Sequence, residues 1–159
     1  MSREKSDQAF RLALQHHHAG RLAEAEAQYR KAIEFRSNNA DALQLLGVVL
    51  SQTGRAPEGV ELIRRAIGYV PKAAGYHSNL GFALVNASRH DEAVTAFRQA
   101  IALEPNNPEH HANLANALSQ LNRPDEAIPA YQQAVALRPD SVPREEDDSL
   151  ATRRQAHPL

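Results

Sequence analysis

The sequence predicts an all-α protein built from four stacked helix-turn-helix units, and three observations carry this prediction. A pattern of small and apolar residues recurs every 34 residues, without a gap, from residue 6 to residue 141. Within each unit the apolar residues recur at helical spacing. Alanine is abundant while aromatic residues make up only 5% of the chain, which favours closely packed helices over a sheet built on bulky side chains.

The repeated part of the chain is predicted to form one domain over residues 1–141. The positions within each unit are numbered 1 to 34 below. The units are residues 6–39, 40–73, 74–107 and 108–141. Because one pair of short helices cannot bury its apolar face alone, such units form a core only by stacking on their neighbours, and at least three are needed.

Small residues stand at positions 8, 20 and 27 of the unit, and a large residue usually stands at position 24. They are Ala13, Gly47, Gly81 and Ala115 at position 8, Ala25, Gly59, Ala93 and Ala127 at position 20, Ala32, Ala66, Ala100 and Ala134 at position 27, and Tyr29, Ile63, Phe97 and Tyr131 at position 24. The small residues allow two helix backbones to approach closely, and the large residue fills the space beside them. Gly59 is expected to weaken its helix by about 0.5–1 kcal/mol relative to alanine.

Turn-forming residues stand at position 15, between the two helices of every unit. They are Gly20, Gly54, Ser88 and Asn122. Glycine and asparagine favour the left-handed backbone conformation that closes a helix, and serine is a weaker choice. A proline at position 32 ends the second helix in three of the four units. Pro129 falls inside the last helix, where a local bend is expected.

This 34-residue pattern resembles the tetratricopeptide repeat (TPR), and the resemblance covers residues 6–141. The resemblance implies antiparallel helix pairs stacked into a right-handed α-α superhelix, in which the first helix of each pair lines a concave groove. The chain departs from the family at position 4, where tryptophan is frequent. Ala9, Leu43, His77 and His111 stand there instead.

Residues 142–159 form a charged tail that does not continue the repeat, because Asp148 would stand where the other units have leucine. Pro143, early acids and late arginines are compatible with a short helix that caps the last unit weakly. Ile128 and Val135 on the last helix need such a cover. The tail, a second copy of the chain or a natural continuation are the alternatives, and the second of these predicts a homo-oligomer.

Composition excludes several classes of partner and chemistry. The formal net charge is -1, so no electrostatic attraction to nucleic acid or to an anionic membrane is expected. The absence of cysteine excludes disulfides and thiolate chemistry. No apolar run approaches the roughly 20 residues that span a bilayer, and the start lacks the apolar core of a signal peptide. These features together predict a cytoplasmic protein.

No catalytic motif is found in the sequence, which predicts a protein without enzymatic activity and without a cofactor. The stretch QHHHAG, at residues 15–20, lies in register within the first unit. Successive helical residues diverge by about 100°, so these three histidines cannot converge on one metal ion. His16 is expected to pack within the unit. His17 and His18 are expected to face the groove, where the charge on His17 would rise below about pH 6.5.

His77 and His111 occupy the same position in consecutive units. Stacked helices lie about 8–10 Å apart, too far for both rings to bind one zinc ion. His110 adjoins His111 but faces elsewhere. We therefore expect packing between helices here and no metal site.

The resemblance places function in the groove, which this family lines mainly with positions 2, 5, 9, 12 and 13, and with position 6 close by. It predicts that a peptide segment of a partner protein binds there. The predicted binding residues are Phe10, Leu14, His17, Gln44, Val48, Asn79, Phe82, Asn113 and Asn116. The N-terminal half of this groove is rather apolar, and its C-terminal half is rich in amides.

Repeats that bind the terminal carboxylate of chaperones are one branch of the family to consider. That branch has lysine and asparagine where this chain has Phe10 and Leu14. The acids Asp7, Asp41 and Glu109 at position 2 would also repel a carboxylate. This branch is therefore rejected.

The segments YHSNLGFAL and HHANLANAL resemble the TPR arm of O-GlcNAc transferase and of bacterial proteins like it. Asn79 and Asn113 match the recurring groove asparagine of that arm, although asparagine is common at this position in the family generally. An asparagine amide donates to and accepts from an extended peptide backbone at once. The alternative function is thus a substrate-recruiting or oligomerising arm of a larger glycosyltransferase or sulfotransferase. The resemblance transfers the groove and not the activity.

Arginines recur at position 25 of the first three units. They are Arg30, Arg64 and Arg98. Glu26 precedes Arg30 by four residues and Glu61 precedes Arg65 by four, which is the favourable order for an ion pair on one helix. A solvated face is predicted, and an anionic partner is the alternative.

Overall fold

The computed structural model describes residues 1–138, and these residues form eight α-helices joined by short turns, without a strand. The helices are α1 (Ser2–His18), α2 (Leu22–Phe35), α3 (Ala40–Gln52), α4 (Ala56–Tyr69), α5 (Ala74–Asn86), α6 (His90–Leu103), α7 (Pro108–Gln120) and α8 (Pro124–Ala136). This confirms the all-α fold. The predicted capping helix within residues 142–159 lies outside the described residues. No helix within residues 1–138 is long and apolar enough to cross a membrane.

The helix boundaries follow the 34-residue frame. Helices α3, α5 and α7 begin at position 1, and all four second helices begin at position 17. Only α1 differs, because it begins at Ser2, before the first predicted unit. No proline or glycine precedes the unit, and Arg3, Glu4 and Lys5 are good helix formers, so nothing stops the helix from extending.

The four turns within units adopt the left-handed conformation expected at position 15. The φ angles are 73° at Gly20, 86° at Gly54, 59° at Ser88 and 54° at Asn122. The next residue is an arginine in every unit, and its N–H donates to the carbonyl five residues earlier over 2.8–3.0 Å. This bond closes the first helix and turns the chain back. Ser88 therefore adopts the conformation in spite of its Cβ.

The core runs along the stack, because α2, α4 and α6 each contact both the first helix of their own unit and the first helix of the next unit. Tyr29, Ile63 and Phe97, all at position 24, are fully buried there. Tyr131 at the same position is 39% exposed. No further unit follows α8 within the described residues, so the contacts that bury its counterparts are missing.

Helices α3 and α4 approach most closely at two glycines. A Cβ on Gly47 would lie 2.7 Å from the carbonyl oxygen of Gly59, and a Cβ on Gly59 would overlap the carbonyl oxygen of Gly47. The expectation that Gly59 is a weak point is wrong in this context. The helical propensity that alanine would add is outweighed by a collision with backbone, which cannot move aside.

The last described helix has two unusual features. Helix α8 continues past Pro129 as far as Ala136, although proline cannot supply the N–H that would bond to the carbonyl of Asp125. Ile128 and Val135 are both 56% exposed on this helix. The end of the described stack therefore presents an apolar face.

Ion pairs connect the second helices of neighbouring units. They join Arg30 to Glu58 at 3.4 Å, Arg64 to Glu92 at 2.8 Å and Arg98 to Glu126 at 3.1 Å. The predicted pair of Glu26 and Arg30 is confirmed at 2.9 Å. The predicted pair of Glu61 and Arg65 is wrong, since Glu61 instead binds Arg64 at 3.2 Å. The arginine row thus links units to one another and is not an uncommitted site for an anion.

Candidate functional site

Helices α3, α5 and α7 form one continuous surface, because α3 contacts α5 and α5 contacts α7. On each helix, positions 5, 9, 12 and 13 are three or four residues apart or adjacent, so they share one face. This shared face is called the groove below. The helical period therefore brings predicted groove residues from separate units into one surface.

Phe82 stands at the centre of the groove and is 49% exposed. Its ring meets the ring of the buried Phe97 edge to face, with the centroids 5.3 Å apart and the planes at 77°. Phe97 comes from α6, behind the groove, and supports Phe82 from below. An exposed phenylalanine held in this way offers a rigid apolar surface to a partner.

Two hollows adjoin Phe82. The α3–α5 hollow has a volume of about 280 Å³, and the α5–α7 hollow has a volume of about 390 Å³. The first is lined by Val48, Ser51, Gln52, Asn79, Phe82, Ala83 and Asn86, and the second by Phe82, Val85, Phe97, Asn113, Asn116, Ala117, Ser119, Gln120 and Tyr131. None of these lining residues carries a charge. Both hollows therefore suit an uncharged ligand.

Hydrogen bonds orient the amides of the α3–α5 hollow. The Nδ2 of Asn79 donates to the Oε1 of Gln44 over 2.6 Å, and the Nδ2 of Asn86 donates to the Oγ of Ser51 over 2.8 Å. The Oδ1 atoms of both asparagines accept no hydrogen bond from residues 1–138. This hollow thus presents two oriented acceptors. Gln44 is only 7% exposed and does not line this hollow, so it supports Asn79 from behind.

A different pattern orients the α5–α7 hollow. The Oη of Tyr131 donates to the Oδ1 of Asn116 over 2.6 Å. The N–H groups of the Asn116 side chain donate to no acceptor within residues 1–138. Tyr131 was missed by sequence reasoning, because position 24 is a core position in the other units. Its place in the last unit could have indicated that Tyr131 is exposed. No helix of a further unit covers it within the described residues.

The predicted residues of α1 line neither hollow. Phe10 packs on Tyr29 with the ring centroids 5.9 Å apart, and Leu14 is half-buried. His17 meets Tyr29 edge to face, and its Nδ1 lies 3.0 Å from the Tyr29 Oη. The structure therefore gathers only five of the nine predicted residues around the two hollows. They are Val48, Asn79, Phe82, Asn113 and Asn116.

His17 is less available for charge than predicted. Burial lowers its pKa below the ordinary value of 6.5, the nearby His18 lowers it further, and a hydrogen bond with Gln52 acts in the opposite direction. The expectation of a charge that rises just below pH 6.5 is therefore corrected to a more acidic range. Burial also raises the pKa of Tyr29 to about 12, so its phenol stays neutral beside His17.

The other predicted histidines connect elements of the fold. His16 is partly buried and accepts a hydrogen bond over 3.0 Å from the Nε of Arg21, a residue of the same unit. His77 and His111 lie 2.9 and 2.8 Å from the carbonyls of Pro71 and Pro105, and each connects its unit to the preceding one. Residues 1–138 contain no group of three potential ligands that could hold a metal ion.

His110 is buried and has polar contacts on both ring nitrogens. Its Nδ1 lies 2.9 Å from the Oγ of Ser78, and its Nε2 lies 3.0 Å from the Oε2 of Glu104. The hydrogen bond with His110, followed by one from Asn107, lowers the pKa of Glu104. Ser78 is itself buried in the middle of α5. This chain of contacts joins the third and fourth units, and sequence reasoning missed it.

Comparison with solved structures shows the same architecture in MamA proteins. The chain is 25% identical to MamA MSR-1 with a TM-score of 0.72, over 83% of this chain and 76% of that one. It is 26% identical to MamA AMB-1 with a TM-score of 0.71, over 84% and 78% of the two chains. MamA from Desulfovibrio magneticus RS-1, at 17% identity, shares the fold with a TM-score of 0.78, over 83% and 75%. No curated protein matches the chain.

Family models identify the repeats directly. A tetratricopeptide repeat model matches residues 45–108 and 79–142, and a TPR repeat model matches residues 14–54. The finer resemblance to the arm of O-GlcNAc transferase rests on the sequence segments alone and stays a prediction. The matches and the shared fold together establish that the chain belongs to the tetratricopeptide repeat family.

Proposed function

We propose that this protein is a non-enzymatic scaffold that binds an extended peptide segment of a partner protein in the groove of α3, α5 and α7. The tetratricopeptide repeat fold is a protein-interaction scaffold, which supports the general role. The observation that carries the proposal is the pair of uncharged hollows on either side of Phe82.

The oriented amides support an extended peptide as the ligand. Asn79 and Asn86 offer Oδ1 acceptors to backbone N–H groups, and Asn116 offers Nδ2 donors to backbone carbonyls. An extended backbone presents N–H and C=O groups in alternation, so both kinds of partner are available along its length. Hydrogen bonds to the backbone of the bound peptide give affinity for a range of peptide sequences.

Charge favours an internal segment over a chain end. The lining of the hollows carries no charge, so neither a terminal carboxylate nor a terminal ammonium would find a countercharge there. Burial of an unpaired charge costs several kcal/mol of free energy. The bound segment is therefore flanked by further chain on both sides.

A photo-crosslinking amino acid tests this placement. It is introduced at Gln120, which lines the α5–α7 hollow, and as a control at Gln99, an exposed residue of α6. We expect a partner to be captured from Gln120 and not from Gln99, and mass spectrometry of the adduct to identify an internal peptide. Equal capture from both sites would contradict the proposal.

A groove variant provides the second arm of this test. Alanine at Asn79, Phe82 and Asn113 together should abolish capture of the same partner while the helical circular dichroism signal remains. Capture that persists in this variant would move the binding site away from the groove. The matched control is Phe35→Ala, since Phe35 is another partly exposed phenylalanine, on α2.

Self-association through the last described unit is the second candidate, and the exposure of Ile128 and Val135 favours it. We propose a second copy of the chain as the cover of this apolar face. Light scattering of the full chain should then show a dimer or larger species that Ile128→Ser with Val135→Ser converts to monomer. A full chain that is monomeric at all concentrations tested would refute this candidate.

A further inference from the structure

We infer that the α5–α7 hollow is an anchor site for one amphipathic aromatic side chain, tryptophan or tyrosine, of the bound peptide. The inference rests on the proposed function of the groove and names the ligand chemistry of one part of it. Its volume of about 390 Å³ lies near the lower end of small-molecule sites, about 300–1,000 Å³. A space of this size suits one large side chain rather than a whole helix.

Part of the lining of the hollow is apolar. It consists of Phe82 and Val85 from α5, Ala117 from α7, and Phe97, whose ring packs against that of Phe82. Phe82 is 49% exposed although its ring is held firmly against Phe97. An aromatic guest would cover this ring and continue the edge-to-face arrangement that Phe82 already makes with Phe97.

The rest of the lining is polar. It consists of Asn113, Asn116, Ser119 and Gln120 from α7, together with Tyr131 from α8. The hydrogen bond from Tyr131 occupies the Oδ1 of Asn116, so the Nδ2 of Asn116 is directed to other acceptors. Tryptophan and tyrosine combine an apolar ring with a single polar group, and they usually find a hydrogen-bond partner for that group when they are buried. The mixed apolar and polar lining of the hollow matches this combination.

The hollow is less suited to a cation. Quaternary ammonium groups and methylated lysine are bound by cages that present several ring faces. Here Phe97 is only 1% exposed, so Phe82 and Tyr131 are the rings that present surface. No acidic residue lines the hollow to balance a positive charge. A neutral aromatic guest is therefore favoured over a cationic one.

The chain contains no tryptophan, so the fluorescence of a tryptophan-bearing peptide reports its own binding directly. The probe is the blocked pentapeptide acetyl-Ser-Gly-Trp-Gly-Ser-amide, titrated with the full chain. Parallel peptides carry tyrosine, leucine, alanine or trimethyllysine at the centre, and compete with the tryptophan peptide. We expect the tryptophan emission to shift to the blue, and competition to be strongest for tyrosine and weakest for alanine and trimethyllysine.

Variants locate the bound ring. Phe82→Ala should weaken binding of the tryptophan peptide by about tenfold, an effect usual for a buried anchor contact. Phe35→Ala, at a phenylalanine on α2 that does not line this hollow, should leave the affinity unchanged. Circular dichroism and the urea midpoint of each variant show whether the fold is retained.

Three outcomes would overturn the anchor inference: equal binding of the alanine and tryptophan peptides, tightest binding of the trimethyllysine peptide, or unchanged binding to a folded Phe82→Ala variant. Capture of a partner from Gln120 without binding of either aromatic peptide would refute the anchor alone and leave the proposed groove function intact. Failure of the crosslinking at Gln120 together with failure of the peptides would refute both.

Discussion

Gly47 and Gly59 face each other where α3 and α4 cross, and a Cβ on either residue would collide with the carbonyl oxygen of the other. Each of the other three helix pairs has at least one alanine at these two positions. The backbones of α3 and α4 therefore approach each other directly in the second unit, and this pair cannot be treated as ordinary small residues.

Gly59→Ala is expected to lower the free energy of unfolding by about 1–3 kcal/mol, the range for forcing extra volume into a packed interior. Gly68→Ala is the matched control, because Gly68 lies on the same helix and a Cβ there would meet no other atom within 4 Å. That control should raise stability by up to about 1 kcal/mol through helix propensity alone. Urea denaturation of both variants measures these changes in the free energy of unfolding, which should have opposite signs. Stabilisation by Gly59→Ala would disprove the backbone contact.

Glu26 links two units through charge-assisted hydrogen bonds. It accepts from Arg55 over 2.5 and 2.9 Å and from Arg30 over 2.9 and 3.0 Å. The bonds from Arg55, and then those from Arg30, lower its pKa below the ordinary 4.5. A lowered pKa means that this stabilisation is present above about pH 4.5 and is lost as the pH falls through the folded-state value.

Glu26→Gln should therefore cost about 1–2 kcal/mol at neutral pH and progressively less in acid. Glu58→Gln is the control, because Glu58 is half-exposed and contacts Arg30 at 3.4 Å. Its removal should cost less than about 0.5 kcal/mol. Urea titrations at neutral and acidic pH measure the difference, and a pH-independent effect at Glu26 would contradict the ionic origin.

His17 should also make the fold sensitive to acid, but here the folded chain favours the neutral form of the side chain. Its pKa is lowered by burial and by His18, so the unfolded chain binds a proton that the folded chain resists. Stability from this group is complete above about pH 6.5 and declines as the pH falls below that value. His17→Gln should flatten the decline, whereas His16→Gln, in the same run of histidines, should not. Thermal unfolding from pH 7 to 5, about the range over which histidine titrates, would show identical slopes if this assignment were wrong.

Ser78→Ala should destabilise the junction of the third and fourth units by about 1–3 kcal/mol, because it leaves the Nδ1 of the buried His110 without its partner. Ser119→Ala is the comparison, since Ser119 is an exposed serine on α7 and should have little effect. Hydrogen exchange of α7 and α8 measures the local loss. Equal protection in the two variants would show that the contact contributes nothing.

Much of the candidate site was predictable because its residues recur at fixed positions of the repeat. Asn79, Phe82, Asn113 and Asn116 follow from a 34-residue repeat combined with the helical period, which together place them on one surface. The closing conformation at Ser88 was predictable for a similar reason, since its place in the repeat outweighs the weak preference of serine. Both arguments need only local geometry and the register.

Other features depend on which neighbours are present and could not be read from the repeat. Gln44 was predicted to contact a ligand, yet Asn79 from the next unit covers it. Glu61 had two arginines within reach on its own helix, and it binds Arg64, which also reaches Glu92 of the next unit. The choice between such partners is made by contacts across units.

The sequence by itself determined the helix pairs and their turns, because these follow from spacing, propensity and turn chemistry within a unit. Only the tertiary structure decided that His17 is held by Tyr29 and that Tyr131 is exposed at the edge of a hollow. The physical reason is that burial and hydrogen bonding depend on which side chains a neighbouring helix does or does not supply. His17 and Tyr29 stand on different helices of one unit, and no helix of a further unit covers Tyr131 within the described residues.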